Sequence, residues 1–460
     1  MLKVHNTLTK KDEEFRPMKG KEVKMFVCGP TVYDYTHIGH AKSYVAFDVI
    51  AKYLRYRGFK VFYLQNITDV EDRLIIRSKE SGRSVADLVK EFTKKYYEDM
   101  EALGVDSIDK YAPATEYMKQ IIEQVKGLIE KGFAYEISDG VYYDVSKFPE
   151  YGKLSHLKKE AIKKHRIEPN PEKRNPEDFV LWKKHKPGEP AWDSPWGKGR
   201  PGWHIEDTAI TIHHFGSQYD LHGGGEDLIF PHHDCEIAQA EAFTGVKPFV
   251  RYWLHNAFIL VEGQKMSKSL GNFYTVRDIF AKGYEPIVVR FSLLNTNYNK
   301  PANFTFSALE SGKDGIDRLR EFMRKVKEAK GEEAGIEKLI EETREKFENA
   351  MDDNFNTPNA IAAIFNFVRD VNKLVDEGKV SQEEGKKIIG LMEKFDSVLG
   401  ILKGWEKEEK IPEDISKLLE EREEARKKKD FKLADDIRNK IKDKGWIVED
   451  TPSGPRVRKA

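Results

Sequence analysis

The chain has 460 residues, with 78 Lys and Arg against 78 Asp and Glu, 39% hydrophobic residues and 2 cysteines. At roughly 100–200 residues per domain this is about three domains with ample core, and the lack of any run of about 18–20 apolar residues excludes a membrane-spanning helix. Zero net charge gives no bulk attraction to nucleic acid, so such a partner must be argued from local basic patches, while two distant cysteines and no apolar N-terminal run indicate a reducing, cytoplasmic setting.

The N-terminal part alternates strand and helix. Lys21 to Pro30 (KEVKMFVCGP) carries a short apolar run that closes on Gly29-Pro30, which predicts a strand with Cys28 at its C-terminal end. Tyr44, Val45, Phe47, Val49, Ile50, Tyr53 and Leu54 then make a broad helical face that ends near Gly58, and Lys60 to Asn66 is a second, β-branched and aromatic strand. Two strands joined by a crossover helix form a right-handed βαβ unit, whose ligands sit beyond the strands' C-terminal ends. Cys28 and the turn before the helix therefore face one pocket. Val85 to Leu103 and Glu116 to Lys131 read as amphipathic helices, and Gly140 to Val145 as a short strand. From about Ser146 to Gly202 the basic, Pro- and Trp-rich sequence predicts an insertion of irregular loops. Tyr219 to Leu221 reads as a strand running into a turn at Gly223, Gly224 and Gly225, and Pro231 starts a helical stretch. Beyond Gly271 the chain is mostly helical, from about Gly315 to Gly400 and from Ile411 to Asp443, before a compact tail over Gly445 to Lys459.

Four groups of residues carry candidate chemistry. His37-Ile38-Gly39-His40 stands at a helix entrance, where imidazoles and unpaired backbone N–H groups suit phosphate and Gly39 lets a planar group approach; solvent, packing or metal-ligand roles fit the same spacing. Lys265-Met266-Ser267-Lys268-Ser269, between Gly263 and Gly271, suits a loop closing over a polyphosphate, or an exposed lysine loop. Cys28, Asp207, His232 and Glu236 are zinc-ligand types, and His232 and Glu236 share a helical face; Cys235 is a substitute ligand, and a buried cysteine among scattered polar residues leaves the same trace. Gly223-Gly224-Gly225-Glu226-Asp227 permits backbone contact with a ribose or base, Asp227 suits hydroxyls, and Trp203 is either a substrate wall or a core residue. Near the C-terminus Arg426, Lys427, Lys428, Lys429, Arg456, Arg458 and Lys459 offer phosphate contacts, and Trp446 a stacking surface.

Together CGPTVYDYTHIGHAKSYVAFD (Cys28 to Asp48), QNITDVEDR, GRPGWHIED, DLHGGGEDLIFPHHDCEIAQAEAFTG and KMSKSLGNF resemble the cysteinyl-tRNA synthetases, a class I aminoacyl-tRNA synthetase family. ADDIRNKIKDKGWIVEDTPSGPRVRK resembles that family's C-terminal end, so the likeness covers nearly the whole chain. It implies an α/β fold: a Rossmann-like parallel-sheet catalytic domain over about 1–261 with an insertion at about 120–202, a lysine-loop and stem-contact region at 262–325, a helical bundle at 326–404 and a small anticodon-binding module at 405–460. The implied activity is ATP-dependent formation of cysteinyl-adenylate from L-cysteine and transfer to the 3′ terminal adenosine of cysteine tRNA, by a cytoplasmic monomer that uses magnesium and one zinc ion. On the family pattern His37, His40, Lys265 and Lys268 are catalytic; Gly39, Gly223, Gly224, Asp227 and Lys268 bind ATP; Cys28, Thr68 and Trp203 surround the amino acid. Cys28, His232 and Glu236 match three zinc ligands, whereas Asp207 stands where the family has a second cysteine in the context WHIEC. A carboxylate keeps the negative charge but is a harder ligand, so retained zinc, Cys235 as replacement and a metal-free pocket all stay open. Arg426, Lys427, Lys428, Trp446, Arg456 and Arg458 are the expected tRNA contacts. A ligase joining cysteine to a small amine and a noncatalytic RNA-binding paralogue are the competing readings.

Overall fold

The apolar run ahead of Cys28 forms the central strand, Glu22–Val27, of a five-stranded sheet in the computed structural model, which describes residues 1–158, 170–267, 270–406, 412–451 and 454–459. Its strands run in the order Val250–Asn256, Tyr219–Gly225, Glu22–Val27, Lys60–Ile67, Lys110–Pro113, every neighbouring pair parallel. Met25, Phe26 and Val27 are all buried, as expected of a parallel strand covered on both faces. The strand order reverses between Glu22–Val27 and Tyr219–Gly225, and a doubly wound sheet opens its ligand crevice at such a switch point. Cys28 follows directly on one of those strands, and its amide donates to Gly223 O of the other at 3.0 Å.

The crossover helix Ile38–Tyr56 starts at His37 as N-cap and ends before Gly58, whose φ of +83° suits a residue without Cβ. Helices Val85–Ala102 and Met118–Glu130 occupy the predicted places. Gly140–Tyr143 is the short strand expected there, but the stretch from about 146 to 202, read as irregular loops, differs: it adds Phe179–Lys184 and Gly199–Pro201 to an antiparallel four-stranded sheet with Ala134–Ile137 and Gly140–Tyr143. Phe179, Leu181 and Trp182 are buried in it, so one tryptophan that read as loop composition is a core residue. Gly223, Gly224 and Gly225 likewise lie within a strand and not in a turn.

Helices Phe306–Glu328, Glu337–Asp352, Thr357–Asp376 and Gln382–Leu399 complete a unit spanning Met1–Lys403. Arg290, 1% exposed on helix Pro286–Leu294, ties its parts together. It donates to Leu399 O at 2.6 Å, to Leu103 O and Gly104 O at 3.0 Å, and pairs with Asp48 of the crossover helix at 2.6 Å. Burial works against the charged carboxylate, yet Arg290 and Lys52 hold Asp48 below its usual pKa.

Gly404–Ala460 forms a second unit. Helices Glu413–Lys427 and Phe431–Asp443 pack with the antiparallel hairpin Trp446–Thr451 and Gly454–Lys459 around Ile415, Ile437, Ile441, Trp446, Val448 and Val457. Trp446, expected as a stacking surface for a base, is instead 6% exposed and belongs to this core. A unit this small has few large apolar side chains with which to build a core. Among the described residues no helix is long and apolar enough to cross a membrane.

Removing one partner of a buried, hydrogen-bonded ion pair strands the other charge. Arg290→Ala is therefore expected to destabilise the larger unit by about 3–5 kcal/mol, read from the urea midpoint; a loss under about 1 kcal/mol would show that the pair behaves like an exposed one.

Candidate functional site

The signature histidines form one compact element. His37 Nδ1 accepts from the His40 amide at 3.2 Å, closing the helix N-terminus, and the two rings stack with centroids 3.6 Å apart. An accepting Nδ1 on a neutral ring leaves its proton on Nε2, the donor a phosphate needs. Burial, with His37 and Arg73 nearby, pushes His40 well below the ordinary histidine pKa, so this ring is neutral at physiological pH. Gly39 packs closely here: a Cβ would sit 3.0 Å from His37 Nδ1, so any side chain would press on that ring.

Both flanks of the lysine loop are fastened to this element. Beyond the loop, Ile38 N donates to Tyr274 O at 3.1 Å, Val276 N to Thr36 O at 2.9 Å, and Phe273 meets the His37 ring edge-on at 5.4 Å. On the approach, the hairpin Ile259–Val261 and Gln264–Lys265 packs Ile259 against Gly39. Asn272 bridges the loop, accepting from Ser267 N and donating to Lys265 O. Lys265 is exposed; Lys268 lies outside the described residues.

Cys28, Asp207, His232 and Glu236 converge from three chain segments, with donor atoms all within 4.8 Å of one another. Cys28 Sγ is 3.4 Å from Asp207 Oδ2, which is 3.0 Å from His232 Nε2. His232 Nε2 is also 3.0 Å from Glu236 Oε1, but without hydrogen-bond alignment, so both buried Glu236 oxygens lack a hydrogen-bond partner among the described residues. Orphaned buried carboxylate oxygens facing a thiol and an imidazole are what a bound cation would satisfy. The electrostatics agree. Burial first, then Asp207 and Glu236, drives the Cys28 thiol far up; burial also raises Glu236, and the two carboxylates overcome burial to raise His232. The pocket concentrates negative charge that only a cation or protons can neutralise. Thiolate, imidazole and carboxylate this close together are a zinc donor set, and these residues fit that ion.

Sequence reasoning missed a second face of this cluster. His222 and His233 bring Nε2 atoms to 3.4 and 3.2 Å from Cys28 Sγ, making with Cys28 and Glu236 an overlapping group that could hold a metal. Their other nitrogens are engaged by Tyr219 at 2.6 Å and His255 at 2.8 Å. The signal lay inside motifs already quoted, LHGGG and PHHD, where only one histidine was credited. Cys235, weighed as a replacement ligand, belongs to neither group. One position from Glu236, it turns into the apolar core, with its thiol 3.3 Å from Tyr151 Oη.

The amino-acid candidates border the cluster. Trp203, 38% exposed, stacks on His232 at 4.2 Å, so it is a wall and not core. Buried Thr68 receives a hydrogen bond from Asn66, which also binds Asp207 Oδ1 at 2.6 Å. The room left by Gly223 and Gly224 is filled from within: a Cβ would meet the Phe47 ring at 2.4 Å and the His233 ring at 2.8 Å. Exposed Asp227 folds over Gly225. In the smaller unit Lys427 and Lys428 are exposed, Arg426 is paired with Asp450, and Arg456 and Arg458 lie on the second hairpin strand opposite 449 and 447. The large apolar side chains this unit exposes, among its described residues, are Phe431 and Leu433.

Comparison with known proteins adds three family matches: the class I (C) tRNA synthetase catalytic domain over residues 14–314, the DALR domain over 346–403 and the cysteinyl-tRNA ligase anticodon binding domain over 408–458. The cysteine–tRNA ligases of Thermococcus onnurineus and Thermococcus gammatolerans are 46% and 45% identical over 468 aligned positions, covering 98% of this chain and 98% of theirs. Among solved structures, Mycobacterium tuberculosis methionyl-tRNA synthetase with methionyl-adenylate matches at TM-score 0.60 and 16% identity, over 83% of this chain and 90% of its own. The Agrobacterium radiobacter K84 agnB2 LeuRS–tRNA–LeuAMS complex matches at 0.63 and 11%, over 85% of both. At such identity the likeness is one of fold.

Cys28→Ser is expected to lower zinc affinity at least about 10-fold by competition with a chromophoric chelator, with Cys235→Ser indistinguishable from wild type. Metal loss in the Cys235 variant alone would reverse the assignment.

Proposed function

The chain belongs to the class I cysteine–tRNA ligases, and on that premise we propose how its residues divide the work. The enzyme activates L-cysteine with ATP, forming cysteinyl-adenylate and pyrophosphate, and transfers the cysteinyl group to the 3′ terminal adenosine of tRNA with release of AMP. In the first step the cysteine carboxylate attacks the α-phosphorus, charge builds on the phosphate oxygens and the pyrophosphate departs. His37, through Nε2–H, and neutral His40 donate to those oxygens, while Lys265 and Lys268 neutralise the leaving pyrophosphate as the loop closes, with magnesium screening the same charge. Asp227, exposed beside the C-terminal end of the sheet, binds nucleotide hydroxyls, and Gly39, Gly223 and Gly224 let the surrounding parts approach. No protein nucleophile is needed, so Cys28 is not one.

Cys28, Asp207, His232 and Glu236 would hold zinc, whose soft-metal preference for thiolate over hydroxyl would set cysteine apart from serine, a near isostere that shape alone excludes poorly. Trp203 covers the amino acid, and Thr68, set by Asn66, borders it. The observation that carries this reading is the convergence of the thiol–carboxylate–imidazole cluster and the signature histidines at one end of the same parallel sheet.

Charging also needs tRNA. The smaller unit reads the anticodon with Lys427, Lys428, Arg456 and Arg458 near phosphate, and with Phe431, 62% exposed, as its stacking surface in place of buried Trp446. The protein works as a monomer in the cytoplasm.

Wild-type protein is expected to exchange labelled pyrophosphate into ATP with cysteine present and tRNA absent, and Lys268→Ala to lose at least about 100-fold in that rate with zinc content and unfolding midpoint unchanged. Equal losses of rate and stability would make Lys268 structural. Phe431→Ala should reduce kcat/KM for tRNA about 5- to 100-fold while leaving exchange intact, the worth of one stacked base; unchanged charging would remove the stacking role.

A further inference from the structure

Two residues past His40 on the signature helix, Lys42 is a buried cation, 2% exposed, without a carboxylate among its hydrogen-bond partners. Its ammonium donates to Asn256 Oδ1 at 3.0 Å, Ala257 O at 2.7 Å and Tyr298 O at 3.0 Å, with Lys300 O at 3.3 Å. These oxygens belong to two separate segments. Asn256 and Ala257 end the last strand of the parallel sheet and lead straight into the hairpin that carries the lysine loop. Tyr298 and Lys300 precede Ala302–Phe304, the strand that pairs with that hairpin. Ala257 N also donates to Tyr298 O at 2.9 Å, and Asn256 Nδ2 to Ser43 Oγ at 2.9 Å, so neighbouring residues of the same helix grip the same junction.

We propose that Lys42 is a positioning residue for adenylation, a clasp that fixes the root of the lysine loop in register with the signature histidines. Burial lowers its pKa to about 8, against the opposing pull of the Glu226 carboxylate. An apolar side chain would avoid that cost, so the cation is retained for the geometry it imposes. Its reach explains the choice: one tetrahedral donor joins three backbone carbonyls and an amide oxygen from two segments, whereas the flank beyond the loop is held by the backbone pairs at Thr36, Ile38, Tyr274 and Val276. Among the described residues the Lys42 ammonium makes no hydrogen bond to a residue proposed to meet ATP, so it acts through the distance between them.

The proposal rests on the roles given to His37, His40 and Lys268, and pyrophosphate exchange by the zinc-loaded full-length protein separates the two. Lys42→Met should lower kcat about 100-fold, the cost of a misplacement near 1 Å, with KM for ATP and cysteine within about twofold. Lys42→Arg, which keeps a donor fork, should recover at least about tenfold of that loss. A Met variant within about threefold of wild type, a kcat that falls only with the folded fraction, or an Arg variant no better than Met overturns the clasp. Should the Met variant not fold, Asn256→Ala must lower kcat about tenfold on the same terms, and an unchanged kcat is equally fatal. Lys268→Ala run in parallel tests the underlying reading: full exchange without Lys268 removes the loop's role whatever Lys42 does.

Discussion

Two parallel strands meet backbone to backbone at Cys28, and the site depends on that contact. Cys28 N donates to Gly223 O, so residues far apart in sequence share one sheet end. The approach is tight throughout. A Cβ on Gly29 would stand 1.7 Å from Asn66 O, and one on Gly223 would enter the Phe47 ring. Asn66, held close by accepting from Gly29 N at 2.6 Å, then reaches Asp207 on a third segment. The glycines of these motifs serve packing between protein parts, and the ligand pocket is what that packing leaves at the switch point.

The same convergence creates an electrostatic demand. Three acidic groups, Cys28, Asp207 and Glu236, are drawn out of water around His232, and burying such charges unpaired costs several kcal/mol each, about as much as a whole domain's margin. Protons neutralise part of this, as the raised pKa values of Cys28 and Glu236 show. A divalent cation would neutralise it more completely and would give the pocket a chemical criterion for its substrate. A fold that tolerates this arrangement is best explained by selectivity, since thiol and hydroxyl differ more in their affinity for a soft metal than in size. In the proposed donor set Asp207 would supply charge without softness, so the thiolate character would rest on Cys28 alone among the protein donors.

The βαβ start, the helix after it and the parallel strand near Tyr219 were legible because apolar periodicity and Gly58 punctuate them clearly. The insertion's sheet was not: Phe179 to Lys184 alternates weakly amid prolines and lysines, and its pairing with Gly140–Tyr143 is a long-range choice that local composition does not encode. Within the site, ligand types were readable from residue chemistry, but Cys235 was separated from Glu236 only by side-chain direction, which one position on a helix reverses. Trp446 was read as a surface residue for a similar reason, while Phe431 is the exposed aromatic. Both are aromatic residues in a basic tail, and only the packing of a small core tells which is inside.

Cobalt substitution offers the most direct view of the central claim, that a buried metal cluster recognises the substrate sulfur. With cobalt(II) in the pocket, adding L-cysteine should intensify the thiolate-to-metal charge-transfer absorption, and adding L-serine should leave the spectrum as it was. Identical responses to the two amino acids, or failure of the folded protein to take up the ion, would contradict it.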